Sequence, residues 1–238
     1  MQDKNKDVAI LTNAFREEKL IKNCIKQFKN YNLFHIVLAP NKSWNAGLQQ
    51  DDTPALAKKY GADLVIEGDF KTEAQQFNYG LNLLRDYKYV WIVDADERYL
   101  QKDIRTNLET FKNAQGDVIK INNMPVYWKT RDYEIVPAQR DDPIIAVKPH
   151  INFVKARSAE YKSASWIVER MYHLSYVRSD EDMLKKIKTF SHADEFDLLE
   201  WYSNKWLSWT TDMTDLHPVV PPQFKMAVYN PLPEEIKV

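Results

Sequence analysis

The chain is short of cysteine, of glycine and of any surplus of basic residues, and each shortage removes a class of protein. Cys24 is the single cysteine among 238 residues, so no intramolecular disulfide can form. It sits among Leu20, Ile21, Ile25 and Phe28 at helical spacing, which reads as a core thiol rather than a reactive one. Only 5 glycines are present, and none builds a glycine-rich phosphate loop after the first apolar run. Basic and acidic side chains number 33 and 34, a formal net charge of -1, which gives no support to binding nucleic acid by phosphate neutralisation. No apolar run approaches the length of a membrane span, and MQDKNKDVAILTN passes from polar residues to a strand without the apolar core of a signal peptide. The expectation is a cytoplasmic protein with no integral membrane segment. Neither an internal repeat nor a low-complexity segment is visible.

What remains is a chain that is 44% hydrophobic and 28% charged, the balance of a globular protein. Residues 8–12, 34–39, 63–66 and 89–93 are short apolar runs that read as buried strands. Between them, a helical period runs from Arg16 to Tyr31. Thr53-Pro54 opens a second helix that Gly61 can end. Thr72-Glu73-Ala74-Gln75 has the capping-box spacing for a third, reaching about Tyr87. Strands alternating with helices predict an α/β fold with a mainly parallel sheet flanked by helices. After about residue 116 the pattern loosens. Residues 117–121 and 144–147 read as strands, Ser179-Asp180-Glu181-Asp182 starts a helix over 180–190, and the Trp- and Pro-rich tail reads as a helix followed by an extended arm. The predicted organisation is one domain over 1–195, in two halves of about 1–100 and about 101–195. The tail, 196–238, packs on it.

The stretch Val90-Trp91-Ile92-Val93-Asp94-Ala95-Asp96-Glu97-Arg98 drives an apolar strand into a group of acids. In a parallel sheet, ligands bind beyond the carboxyl ends of the strands, which is where Asp94 and Asp96 fall. In extended backbone, residues two apart face one side, so the pair could share a hard divalent cation with substrate phosphates. The alternative is structural: Asp96 or Glu97 caps the next turn, or pairs with Arg98.

Three segments resemble glycosyltransferase family 2. VAILTNAFREEKLIKNCI resembles the family's opening strand and helix, with its Thr-x-Asn-Glu-Glu stretch. AQQFNYGL before YVWIVDADER resembles its Gln-Arg-Asn-Tyr-Ala-Leu helix and Leu-Asp-Ala-Asp-Glu-Arg strand. RMYHLSYVRSDEDMLKKIKTFS resembles the His-Tyr-Ser-Tyr-x-Ser segment of the branch containing lipopolysaccharide core glucosyltransferases. The matches keep the family's order over about residues 8–195, more loosely over 100–165. The resemblance implies a GT-A fold and a metal-dependent glycosyltransferase that moves a sugar from a nucleoside diphosphate sugar to an acceptor hydroxyl, with inversion. It implies Mn2+ or Mg2+ as cofactor, Asp96 as a metal ligand, Asp94 on the metal or the donor ribose, and His173 as the distal ligand. A neutral imidazole can complete such a shell.

An inverting transfer also needs a base for the acceptor hydroxyl. The branch has a Val-His-Glu segment before the His-Tyr-Ser-Tyr segment, and its counterpart here is Ser158-Ala159-Glu160, which makes Glu160 the first candidate. Glu169, Asp141 and Asp142 are rivals. Donor-site candidates are Thr12, Asn13 and Glu17 after the first strand and Gln76 and Asn78 before the acidic motif, although Asn78 also reads as an exposed helix position and Glu17 as a first-turn charge.

Two departures from the family stand out. Leu38-Ala39-Pro40-Asn41-Lys42-Ser43 replaces a Val-Asp-Ser-Gly-Ser pattern whose aspartate reads the nucleobase, and Phe77 replaces the arginine between Gln76 and Asn78. The acceptor is open among a glycan, a lipid-linked sugar, a protein side chain and a modified nucleic-acid base. Trp128, Tyr133, Trp166, Trp201, Trp206 and Trp209 are candidates to frame it, and each also reads as core. His192 and His217 read as helix-end or loop residues. Two other functions compete: a nucleotidyltransferase, and a non-catalytic nucleotide-sugar-binding protein on the same scaffold.

Overall fold

A computed structural model describes residues 6–44, 46–138, 142–155, 157–189, 193 and 195–236. The chain forms two compact units, one from residues 1–122 and 141–170, the other from 123–140 and 171–238.

The first unit opens with β1 (Val8–Asn13), α1 (Ile21–Lys26), β2 (Phe34–Pro40), α2 (Thr53–Tyr60), β3 (Leu64–Gly68), α3 (Glu73–Leu83) and β4 (Tyr89–Ile92). A two-residue strand, β5 (Glu97–Arg98), and α4 (Gln101–Asn113) lead to β6 (Val118–Ile121). The second unit contributes β7 (Val126–Trp128) and β8 (Tyr133–Val136) before the chain returns to the first with β9 (Ile144–Val147), β10 (Phe153–Lys155), β11 (Ser158–Ala159) and β12 (Ala164–Ile167). β13 (Tyr172–Tyr176), α5 (Asp180–Thr189), α6 (Leu198–Trp201) and β14 (Met226–Tyr229) complete the second unit.

Seven strands of the first unit form one sheet in the order β12-β6-β9-β4-β1-β2-β3. β4, β1, β2 and β3 run parallel, as do β6 and β12, while β9 is antiparallel to both its neighbours. The mainly parallel sheet expected from the alternating pattern is therefore present, with an antiparallel strand inserted beside β4. Period-two burial covers both faces. On one, Ala74, Phe77, Leu81 and Leu84 at helical spacing pack on Leu11, Leu38 and Ile92. Each Leu, Ile or Phe side chain among them is worth about 1.5–3 kcal/mol when fully buried. On the other, Ile21, Ile25 and Ala57 pack with Val37 and Ala95. Trp91 is buried edge-on between Phe28 and Phe111, at 5.1 and 5.0 Å.

The helix expected over Arg16–Tyr31 is regular only over Ile21–Lys26, with a 3-10 turn at Lys29–Tyr31. The residues that would open a longer helix are instead held in a loop by tertiary bonds. Arg16 N–H donates to Gln50 Oε1 at 2.7 Å and Glu17 N–H to Thr53 Oγ1 at 2.7 Å, and Arg16 lies at φ 56. Thr53 therefore ties α2 to this loop instead of capping its own helix, whose C-terminal Gly61 takes φ 102 as a left-handed stop. The cap at Thr72 forms: its side chain accepts from Gln75 N–H at 3.1 Å.

In the second unit, β7 lies between parallel β13 and antiparallel β8, and β14 pairs antiparallel with β8. Within the tail, Met226–Tyr229 is thus a strand of this sheet. Trp128, Trp201 and Trp206 are buried here, with Trp128 and Trp206 5.2 Å apart. Trp201 Nε1–H donates to the Leu216 carbonyl at 2.9 Å and Trp206 Nε1–H to Asp180 Oδ1 at 2.8 Å, so two of the three indole donors are satisfied inside the core.

Candidate active site

The parallel strands bring their carboxyl ends to one edge, and β4 delivers the acids there. β4 ends at Ile92, and Val93 N–H still bonds the Leu11 carbonyl at 3.0 Å, which sets Asn13 of β1 level with Asp94. The chain then turns. Glu97 N–H donates to the Asp94 carbonyl at 3.0 Å, while Glu97 Oε2 accepts from Asp94 N–H at 3.1 Å. Glu97 thus caps the turn, and the extended-strand rule that would place Asp94 and Asp96 side by side does not apply to it. The two aspartates sit in different environments: the Asp94 side chain is 32% exposed, whereas Asp96 is 5% exposed.

Arg98 holds the turn through main-chain carbonyls. Its Nη1 donates to the carbonyls of Ala95 and Glu97, both at 2.7 Å, and its Nη2 to that of Leu20 at 2.9 Å, pinning the turn to the start of α1. Arg157, far downstream on the β10–β11 hairpin, is a cation beside the carboxylates. Its Nη2 lies 2.7 Å from Glu97 Oε1 and 3.1 Å from Asp94 Oδ2. Burial works against the guanidinium charge, and Asp94 and Glu97 outweigh it, holding the group protonated above its ordinary range.

Glu73, in the first turn of α3, is a further acid of the edge. Burial, and then the charge of Asp94, push its carboxyl up to about 7, with Arg157 opposing. Cys24 lies beneath the turn. Its thiol reaches the Asp94 carbonyl at 3.7 Å, and burial pushes it up to about 12 against the pull of Arg98, so it is an inert core thiol.

The other expected site residues fall in distinct places. Thr12 is fully buried, with Oγ1 2.8 Å from His35 Nε2, and faces the core. Asn13 is half-buried, and both polar atoms of its amide lack a hydrogen-bond partner among the described residues. Glu17 is half-buried in the loop before α1. Gln76 is buried, its Nε2 donating to the Leu38 carbonyl at 2.8 Å, which holds the end of β2. Asn78 pairs twice with Phe153, donating to its carbonyl at 2.9 Å and accepting from its N–H at 2.8 Å, which fastens the hairpin bearing Arg157 to α3. Phe77, in the place of the family's arginine, packs on Phe153 at 4.9 Å between ring centroids. Glu160 is exposed just past β11 on that hairpin. Glu169 turns onto the neighbouring Val168 N–H at 3.2 Å. His173 lies in the second unit, half-buried on β13 with its N–H on the Pro125 carbonyl at 2.9 Å. Asp141 and His192 lie outside the described residues. Of the aromatic candidates, Trp128, Trp201 and Trp206 are core, and Trp166 is exposed beside Lys120, whose ammonium lies 5.2 Å from the ring centroid.

The residue types suit a hard divalent cation: Asp94 and Asp96 carry carboxylate oxygens, and such an ion would take its remaining ligands from substrate phosphates. Among the described residues, no three His, Cys, Asp or Glu side chains are grouped to hold a metal by themselves. Sequence reasoning missed Arg157 and Glu73. No local signal marks Arg157, and Glu73 reads as an ordinary first-turn acid, because its orientation depends on where α3 lands.

No protein-family model matches the chain, and no curated protein matches its sequence. Solved structures match in fold. S. aureus TarS 1-349 in complex with UDP aligns with a TM-score of 0.50 at 14% identity, over 86% of this chain and 72% of that one. S. aureus TarS aligns with a TM-score of 0.50 at 15% identity, over 86% and 44%. Another structure of S. aureus TarS 1-349 gives a TM-score of 0.48 at 14% identity, and there the chain spans 63% of the matched protein's length. The fold is the GT-A type of mixed α/β fold.

Proposed function

We propose that the chain is a metal-dependent glycosyltransferase of the family 2 kind, from the branch containing lipopolysaccharide core glucosyltransferases. It moves a sugar from a nucleoside diphosphate sugar to an acceptor hydroxyl with inversion. The observation that carries this reading is the acidic turn at the carboxyl end of β4, the edge where a GT-A sheet meets its ligand. The UDP named with TarS is compatible with a uridine donor.

Residues 1–100 bind the donor in this reading. Asp96 and Asp94 would hold Mn2+ or Mg2+, and the resemblance adds His173 as a further ligand. When bound, such a cation offsets negative charge on the leaving diphosphate. The unpartnered amide of Asn13, level with Asp94, is placed to hydrogen-bond the nucleotide. The acceptor oxygen attacks the anomeric carbon, the bond from that carbon to the diphosphate oxygen breaks, and the electron pair leaves with the nucleoside diphosphate. Glu160 takes the acceptor proton. Its exposure leaves the carboxylate open to an incoming hydroxyl.

The test is release of nucleoside diphosphate from a panel of nucleotide sugars with Mn2+, with glycan, peptide and modified-base acceptors. Asp96→Ala is expected to lower turnover by roughly a hundredfold or more, and His173→Ala to raise the Mn2+ requirement. Full activity of Asp96→Ala in the presence of a chelator overturns the reading, and release of pyrophosphate in place of nucleoside diphosphate replaces it with nucleotidyl transfer.

A further inference from the structure

Arg157 is held by the charge of two carboxylates. Its Nη2 lies 2.7 Å from Glu97 Oε1 and 3.1 Å from Asp94 Oδ2. Its Nε–H is buried and meets no acceptor among the described residues. The side chain is only 14% exposed, so bulk water does not readily supply the missing acceptor. A guanidinium with a spare buried donor, at the edge where a sheet of this kind receives its ligand, has capacity for one more anion. Its planar fork matches the oxygens of a phosphate.

The two carboxylates differ in how firmly they are fixed. Glu97 is committed to the turn through the Asp94 N–H and is 2% exposed, whereas the Asp94 side chain is 32% exposed. The hairpin that carries Arg157 is fastened by Asn78 through two bonds to Phe153, so the guanidinium has a fixed base from which to reach. Asp94 is therefore the partner that Arg157 can release.

Resting on the sugar-nucleotide reading above, we propose that Arg157 is the resident counter-ion of the acidic turn. It neutralises Asp94 while the site holds no donor. It donates to the diphosphate when the nucleotide binds, and so frees Asp94 for the divalent cation. No covalent bond changes in this exchange. The donor brings the anion that draws the guanidinium away, and a cation arriving without nucleotide meets a fixed positive charge at the carboxylate it needs. Metal and nucleotide binding are thereby coupled through one side chain, and the coupling is reciprocal.

The experiment titrates Mn2+ by electron paramagnetic resonance and UDP by calorimetry, each alone, into the full chain and into Arg157→Gln. Removal of the counter-ion moves the two affinities in opposite directions: Mn2+ alone binds about fivefold or more tighter, and UDP alone about tenfold weaker, within the usual range of coupling factors. A purely structural arginine weakens both, and that result overturns the proposal, as does unchanged Mn2+ affinity. Should Arg157→Gln fail to fold, Arg157→Lys carries the test. It keeps the charge and loses the fork, so Mn2+ affinity stays at the wild-type level while UDP binding weakens, and equal affinities for both ligands overturn the proposal. If wild type binds none of UDP, GDP, ADP, CDP and dTDP, the functional reading fails. If it binds one of them and the Mn2+ affinity of Arg157→Gln is unchanged, this inference fails alone.

Discussion

Glu73 holds its proton where a free glutamate would lose it, and stability must respond. Burial comes first among the causes that raise its carboxyl from 4.5 to about 7, and the charge of Asp94 second. The folded state therefore binds a proton more tightly than the unfolded chain. Below about pH 4.5 both states are protonated and nothing is lost, and stability falls as pH rises from there through about 7. Glu73→Gln removes that loss. The variant is expected to be more stable than wild type by on the order of 1–3 kcal/mol near pH 8, and to match it near pH 4.5. Urea unfolding at the two pH values measures this, and equal stabilities near pH 8 contradict it. Nothing in Thr72-Glu73-Ala74-Gln75 announces the effect, because the capping pattern fixes where the helix starts but not which charge faces its first turn. Asn78 teaches the same lesson. Its side chain looks free on a helical projection, yet it is spent on the backbone of Phe153, a partner that only the folded chain brings near.

At the level of elements, close approach decides more than propensity. Gly116 precedes β6, and a Cβ there would lie 2.6 Å from the backbone nitrogen of Ser165 and 2.8 Å from its Oγ. The neighbour that must give is main chain in β12, which is paired to β6 along Ala164–Ile167, so it cannot shift alone. Gly116→Ala is expected to cost about 1–3 kcal/mol through overpacking, read as a lower denaturant midpoint. A midpoint unchanged from wild type would show that the two strands have slack.

The strands β1, β2 and β4 are legible in the sequence because each is an apolar run bounded by polar residues, and a buried parallel strand needs little else; β3, at the sheet edge and partly exposed, is legible from its short apolar run alone. α2 and α3 are legible from Gly61 and Thr72. α1 is not read to its true length, since Arg16 takes a left-handed φ of 56 in a loop bonded to Gln50 and Thr53, residues that no local window includes. The acidic turn is legible as a place of interest. Its cation is not, because the pairing of Asp94 with Arg157 exists only once the β10–β11 hairpin has folded against α3.

Across the whole molecule, the acids, Arg157 and Asn13 all belong to the first compact unit, and the tryptophan core of Trp128, Trp201 and Trp206 to the second. The formal net charge of -1 gives no general attraction for a nucleotide, so affinity must come from local groups at the strand ends. A ligand that binds only the folded chain stabilises it by mass action, by about 2.7 kcal/mol at a hundred times its Kd. For a chain of this length each kcal/mol raises Tm by about 2–4 °C, so saturating UDP with Mn2+ is expected to raise Tm by roughly 5–10 °C. Mn2+ alone should do much less, since Arg157 already neutralises Asp94. Calorimetric scans of wild type and Asp96→Ala separate specific binding from general effects of salt. The shift disappears in the variant if the carboxylate holds the cation, and a full shift in Asp96→Ala would place nucleotide binding elsewhere on the chain.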